Sequence, residues 1–368
     1  MKKNAKKKIL IIGKLPPPYM GPAVATKILL SSDLKNQFDL IHFNNTLNKN
    51  LDTIGKIDIF KIFFTLKLYF RFYLKIISVR PDVILIPISQ STMGFIKDTP
   101  FIWISKVFGK STLIQLRGSD IKNWLRESSS LTNFLFEKTV KNLNGVIVLG
   151  ESLKYLFSDY FPPNKIFVAP NGGDYVFPKK TDSNQVFRIL FISRLFKSKG
   201  IEDVIDAAIQ LNNPNCEFIL AGGWSSDSRF KEKLLQKIEH SQINLKILPP
   251  VSGQSKFKLY ADADIFVFPP ILPEGHPWVT VESIAAGLPV ISTNQGAITD
   301  CVIDGKNGFI VEPNRPDLIA EKIKFLLDNP SILKKMGMES RKHYEANFTA
   351  KNLVENFANV FNSVIKGF

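Results

Sequence analysis

The sequence predicts an α/β protein made of two doubly wound parallel-sheet domains. Three observations carry this. Short apolar runs alternate with helical segments along the chain. The alternation pauses at a polar, turn-rich stretch, YVFPKKTDSNQ at 175–185, and then restarts. The 368 residues also exceed what one ordinary core organises. Apolar runs that lack polar alternation suit strands covered on both faces by crossover helices.

In the first half, KKILIIG, FDLIHFN, PDVILIPIS, STLIQLRG, LNGVIVLG and NKIFVAPNGGD read as six strands, most ending in turn residues. A Pro-rich loop at 15–22 leads to a helix from about Ala23, and residues 57–78 and 152–160 supply two more helices. In the second half the strands are FRILFIS, CEFILAGG, NLKILPPV, ADIFVFPP, LPVISTN and GFIVEP. KGIEDVIDAAIQL, RFKEKLLQKIEH and residues 281–286 are the helices between them, and helices at 317–327, 331–337 and 350–365 close the chain. The expected domains are 1–176 and 177–349, with the terminal helix, about 350–366, packing back on the first. Ligands of such sheets bind beyond the C-terminal strand ends. Two such domains facing across a cleft place the expected site in that cleft.

Composition narrows the class. Cys216 and Cys301 stand far apart with no CxxC pair, which argues against a disulfide framework or a zinc ribbon and for a reducing compartment. The net charge is +15, and residues 1–80 hold 15 Lys/Arg against four Asp. Such a basic region suits nucleic acid, an anionic membrane surface, an acidic substrate or plain solvation. The N-terminal apolar run Ile9–Ile12 is too short for a signal peptide. The segment 57–77 is long enough to span a bilayer, but it carries Asp58, Lys61, Lys67, Arg71 and Lys75. Each charge at mid-membrane costs about 2.5–3.5 kcal/mol, so no span is expected. Lys67, Arg71 and Lys75 share one helix face among Phe, Leu and Tyr. Two readings stay open: a core helix with a basic edge, or a helix lying in a membrane interface.

The chemistry concentrates at strand ends of the second half. After FRILFIS comes SRLFKSKG, which places Arg194 and Lys199 just before a helix N-terminus. Two cations at the positive end of a helix suit a diphosphate. After ADIFVFPP comes PEGHPWVTVE, with Glu274 before a tight turn and Glu282 about one turn inside the next helix. A carboxylate there can clamp ribose hydroxyls, and the first amides of the helix can face an anion. Asp262 and Asp264 form the one tempting metal motif; at a helix-to-strand junction they read as caps, and no metal is expected. His42, His240 and His343 read as structural. No GxGxxG follows the first strand, which counts against a dinucleotide oxidoreductase.

Taken together, SRLFKSKGIEDVIDA, ILAGG, YADADIFVFPPILPEGHPWVTVESIAAGLPVIST and DGKNGFIVEP resemble the signature of glycosyltransferase family 4, a group of retaining enzymes of the GT-B fold. The resemblance runs over roughly 186–315 and is weaker in the first half, where it covers the loop with Gly21, NGVIVLGESLKYLF and KIFVAPNGGD. It implies that Arg194 and Lys199 bind the donor diphosphate and stabilise it as it leaves. It implies that Glu282 holds the nucleotide ribose and that Glu274 lies near the transferred sugar. Gly275, His276, Pro277 and Trp278 would form the loop whose backbone meets sugar and phosphate, with Gly222 and Gly21 as further donor-side positions. Asn171 and Gly172 match the Asn-Gly that begins the crossing between domains.

The sequence departs from the family pattern in three places. Gly21 is followed by Pro22, Arg117 stands where a His is common, and His276-Pro277 replace the commoner Phe-Gly. Arg117 is kept as an acceptor-side residue. The implied reaction is a metal-independent hexosyl transfer with retention, from a nucleoside-diphosphate sugar to a saccharide or lipid-linked saccharide hydroxyl, without a cofactor. The implied setting is surface polysaccharide, lipopolysaccharide or glycolipid assembly by a cytoplasmic protein, with an anionic membrane surface as a candidate partner and no nucleic acid. Two alternatives stand beside it: a nucleotide-sugar epimerase on the same fold, and a non-catalytic basic scaffold.

Overall fold

The computed structural model of the chain describes residues 5–17, 20–46, 59–180 and 186–367. Asp58, parts of the 15–22 loop and the end of the 175–185 stretch lie outside the described residues. The chain divides into two compact units, 1–170 together with 350–368, and 171–349. The division falls six residues before the expected 176/177 boundary. Tyr175 and Phe177 already belong to the second unit, since their rings meet Phe257 at centroid distances of 6.0 and 5.6 Å.

In the first unit the elements run β1 (Lys8–Ile12), α1 (Gly21–Ser31), α2 (Leu34–Gln37), β2 (Asp39–Phe43), α3 (Ile59–Val79), β3 (Val83–Ile88) and α4 (Thr92–Val107). They continue with β4 (Ser111–Leu116), α5 (Ile121–Glu127), α6 (Ser130–Val140), β5 (Gly145–Val148) and β6 (Ile166–Val168). The six strands form one parallel sheet in the order β2-β1-β3-β4-β5-β6. The order reverses between β1 and β3, so the loops after these strands diverge to opposite sides and leave a crevice. The second unit runs β7 (Phe187–Ile192), α7 (Ile201–Leu211), β8 (Cys216–Ala221), α8 (Ser228–Ser241), β9 (Leu245–Leu248), α9 (Gly253–Asp262) and β10 (Ile265–Phe268). It ends with α10 (Trp278–Ala285), β11 (Val290–Thr293), α11 (Ile298–Cys301), β12 (Gly308–Val311), α12 (Pro316–Asp328) and α13 (Pro330–Asn347). Its parallel sheet has the order β12-β11-β10-β7-β8-β9, which reverses between β7 and β10.

Strands inside each sheet are largely buried, as the uninterrupted apolar runs require: every residue of β8 and of β10 is buried. The terminal helix α14 (Ala350–Lys366) belongs to the first unit, where Leu353, Phe357 and Phe361 join Ile9, Val83 and Leu113 in one core cluster. At about 2 kcal/mol per buried large apolar side chain, those three anchors alone hold the helix by about 6 kcal/mol.

The twelve strands fall where their sequences place them, but several helices differ. Residues 152–160 form a 3₁₀ segment, Glu151–Phe157, instead of an α-helix. The helix expected at 331–337 extends to Asn347, because Ser340 and Tyr344 continue its buried face. Helix α4 was not anticipated: Pro100 sits inside it and buried Asp98 interrupts its apolar face. That carboxylate is satisfied by the Ser89 amide at 2.9 Å and the Ser89 hydroxyl at 2.6 Å.

Candidate active site

In the second unit the loops after β7 and β10 lie on either side of the reversal in strand order. Leu195 bridges to Trp224, and a 3₁₀ turn, Lys197–Lys199, leads into Gly200 and α7. Gly200 has φ +75°, and a β-carbon there would come within 1.9 Å of the Pro269 carbonyl, so only glycine permits this approach. The Ile271 amide donates to the Ser198 carbonyl at 3.0 Å. The two loops are thus clamped together, and the clamp sets the distance between the side chains they carry.

Those side chains are Lys199 and Glu274, which form an ion pair. Both are largely covered, at 18% and 16% exposure, so the pair is shielded from water more than a surface bridge is. Arg194 is exposed, with its guanidinium 4.5 Å from the centre of the Phe196 ring. Among the described residues it has no carboxylate partner, which leaves its donors for an incoming anion.

The Glu274–Pro277 loop is held from behind by three groups. The Ala297 amide donates to the Gly275 carbonyl at 2.8 Å, and the Asn171 side-chain amide donates to the His276 carbonyl at 2.7 Å. Gly296, at φ +63°, lies so close that a β-carbon would meet the Glu274 carbonyl at 1.5 Å. Pro277 is the N-cap of α10 and offers no side-chain acceptor, and the first turn holds no acid. The first intrahelical bonds are made by the amides of Thr280 and Val281, both to the Pro277 carbonyl. The Trp278 and Val279 amides therefore stand at an uncompensated positive helix end.

Glu282 is buried inside α10. Its Oε2 accepts from the Tyr260 hydroxyl at 3.0 Å and pairs with the Lys256 ammonium at 2.5 Å. Burial, reinforced by the Glu282 charge, pushes the Tyr260 phenol far above its ordinary range, so it stays a donor. Both contacts are made to Oε2.

The His276 ring is turned away from the loop surface into the unit's core. It is buried, its Nε2 lies 3.1 Å from Cys301 Sγ, and its centroid is 5.2 Å from that of Phe348. Desolvation brings its pKa from 6.5 to about 3, so the imidazole is neutral and acts as an aromatic filler. The His276-Pro277 departure from the family pattern therefore places an inward-packed ring behind the loop and leaves only the His276 backbone at the loop surface. Gly222 also has a packing reason: a β-carbon would meet the Ser193 carbonyl at 1.7 Å where β7 and β8 end. Asp264 pairs with Lys180 at 2.6 Å and Asp262 with Lys258 at 3.0 Å, so each expected capping aspartate is held by a cation.

In the first unit, Gly21 is the first residue of α1, whose N-terminus has neither a side-chain cap nor an acid in its first turn. Arg117 follows β4 and is half-buried; desolvation lowers its pKa to about 10, and it has no carboxylate partner among the described residues. The structure brings Arg194, Lys199, Glu274, Gly275, Pro277, Trp278 and Glu282 to neighbouring loops and one helix of the second unit, while Gly21 and Arg117 belong to the first. Sequence reasoning missed Lys256, Tyr260 and Gly296. Gly296 had a signal in Asn-Gln-Gly after a buried strand, whereas Lys256 and Tyr260 lie on α9, a helix the periodicity did not reveal.

The chain is similar to known glycosyltransferases. Residues 176–343 match the family model described as Glycosyl transferases group 1. The capsular polysaccharide biosynthesis glycosyltransferase CapM of Staphylococcus aureus is 29% identical over 239 residues, 60% of this chain and 62% of CapM. The chain thus spans less than two thirds of that relative's length. Among solved structures, sucrose-phosphate synthase from Thermosynechococcus elongatus superposes with a TM-score of 0.77 at 15% identity, covering 97% of this chain and 98% of that one. HepE of Anabaena in complex with UDP gives 0.74 at 16% identity, covering 97% and 99%, and HepE is also known with UDP-glucose. The fold is that of GT-B glycosyltransferases.

Proposed function

We propose that the chain is a retaining glycosyltransferase of family 4. It moves a hexosyl group from a nucleoside-diphosphate sugar to a saccharide or lipid-linked saccharide hydroxyl, without a metal or cofactor, in surface polysaccharide assembly. The observation that carries this is the Lys199–Glu274 pair, set by clamped loops at the strand-order reversal in front of the uncapped end of α10. The family match over 176–343, the similarity to CapM and the UDP and UDP-glucose complexes of HepE support it.

In this reading the donor diphosphate meets Arg194, Lys199 and the Trp278 and Val279 amides. The acceptor oxygen bonds to the anomeric carbon as the bond from that carbon to the phosphate oxygen breaks. The acceptor proton passes to the departing phosphate on the same face, so configuration is kept. Cations and oriented amides stabilise the charge growing on the phosphate. Glu274 balances the positive character of the sugar ring, and Glu282 accepts from a ribose hydroxyl. Arg117 contributes on the acceptor side. The protein works in the cytoplasm, and its basic first unit brings it to the inner face of an anionic membrane.

The test is a panel of UDP-, GDP-, ADP- and dTDP-sugars, followed by nucleoside diphosphate release. Release with one donor, about a hundredfold or more slower in Lys199→Ala and Glu274→Ala, is expected. No release and no nucleoside diphosphate binding across the panel would overturn the proposal. Conversion of the sugar while it stays attached to the nucleotide would favour an epimerase.

A further inference from the structure

Helix α3 has two apolar sides. Leu68, Phe72 and Ile76 recur every fourth residue and are fully packed inside the first unit. The opposite side carries Phe63, Leu66, Phe70, Leu74 and Ile77, at spacings of three and four, and these are 44–63% exposed. A helix that covers a core ordinarily turns polar residues outward, so a second apolar stripe needs a partner. At 1.5 Å per residue, the stripe from position 63 to 77 is about 21 Å long. Tyr73 packs on Phe108 with centroids 5.3 Å apart, and Val107 beside it is 85% exposed, so the apolar surface continues onto the end of α4.

Charge selects the partner. Lys67, Arg71 and Lys75 each follow a stripe residue by one position, so they line one flank of it. Between Ile59 and Val79 there is no Asp or Glu, and among the ion pairs of the described residues none involves these three cations. A second copy docked on this stripe would bring two such basic flanks together with no acid from either helix. An anionic bilayer accepts both features: the rings and aliphatic chains enter the interface while the cations meet phosphate headgroups.

We propose that the exposed face of α3 docks on an anionic phospholipid surface, with Phe63, Leu66, Phe70, Leu74 and Ile77 inserted and Lys67, Arg71 and Lys75 at headgroup level. This deepens the membrane reading given above by assigning it a face. It stands or falls separately from sugar transfer.

The experiment is co-sedimentation of the full chain with vesicles of phosphatidylcholine alone or with 30% phosphatidylglycerol, at low and high salt. Binding to the anionic vesicles that weakens with salt is expected, with little binding to the neutral ones. Each interfacial cation contributes about fivefold, so Lys67→Gln/Arg71→Gln/Lys75→Gln is expected to bind about a hundredfold more weakly. Leu66→Gln/Phe70→Gln/Leu74→Gln is expected to lose the binding that survives high salt. Donor turnover in solution is expected to be unchanged in the charge variant, which separates a failure of docking from a failure of the transfer reading. The proposal is overturned if the unmodified protein stays in the supernatant with anionic vesicles at low salt, or if both variants bind as it does. It is also overturned if it forms a concentration-dependent dimer that Phe70→Gln dissociates.

Discussion

Replacing His276 by Phe separates a packing role from a chemical one at the centre of the donor loop. The imidazole is buried against Phe348 and Cys301, and desolvation holds its pKa at about 3, against 6.5 when free. The folded pKa is depressed. Between those two values the unfolded chain carries a proton at this residue that the folded chain does not. Stability from this site is therefore complete above pH 6.5 and is lost as pH falls, at about 1.4 kcal/mol per unit. At pH 5.0 the loss is about 2 kcal/mol. Phe has no proton to take up, so this part of the acid sensitivity disappears.

Urea unfolding at pH 7.5 and 5.0 tests this. At pH 7.5 His276→Phe is expected within about 1.5 kcal/mol of the parent, as for a near-isosteric core change. On moving to pH 5.0 it is expected to gain about 2 kcal/mol relative to the parent. Its donor turnover should keep the parent's pH profile, since a neutral buried ring moves no proton. Equal acid losses in the two proteins, or a profile limb that vanishes in the variant, would show that the His276 ring is not a neutral packing group.

Other expectations concern the groups around the loop. Arg194→Ala and Lys199→Ala are each expected to lower kcat by about 10²–10³, the usual cost of removing one preorganised donor to the leaving group, read from nucleoside diphosphate release. Lys256→Met is expected to raise the donor KM more than it lowers kcat, and Lys256→Arg to restore it, because the cation acts through the Glu282 carboxylate; equal effects of Met and Arg would oppose this. Gly296→Ala places a methyl where the Glu274 carbonyl lies and strains a positive φ, so a stability loss of about 2 kcal/mol or more and a fall in kcat are expected from unfolding curves and turnover.

Much of this was legible in the sequence for a definite reason. Strands such as FILA in β8 and IFVF in β10 are buried on both faces, so their apolar runs were unbroken and easily bounded. Lys199 and Glu274 were legible because each lies in the loop that follows an apolar strand, and the order of strands makes β7 and β10 neighbours. Their mutual pairing was not legible, since it depends on the Gly200–Pro269 and Ser198–Ile271 contacts, which join residues about seventy positions apart. The inward turn of His276 was hidden as well. A histidine in a loop reads as exposed until Phe348 and Cys301 are seen beneath it. Helix α4 escaped because Pro100 and Asp98 disguise its period, although buried Ser89 contacts make that aspartate acceptable in place. On α3 the residue types were plain, but which apolar side faced the core could be read only from the packing of Leu68, Phe72 and Ile76.

Proton NMR of donor cleavage, with the one nucleotide sugar that turns over and in the presence of EDTA, decides whether the protein transfers sugar with retention and without a metal. The expected products are nucleoside diphosphate and a sugar first seen in the donor's own anomeric configuration, formed at a rate EDTA does not change and about a hundredfold or more slower in Lys199→Ala and Glu274→Ala. A donor that stays intact, an inverted sugar, or cleavage abolished by EDTA would contradict metal-free transfer with retention.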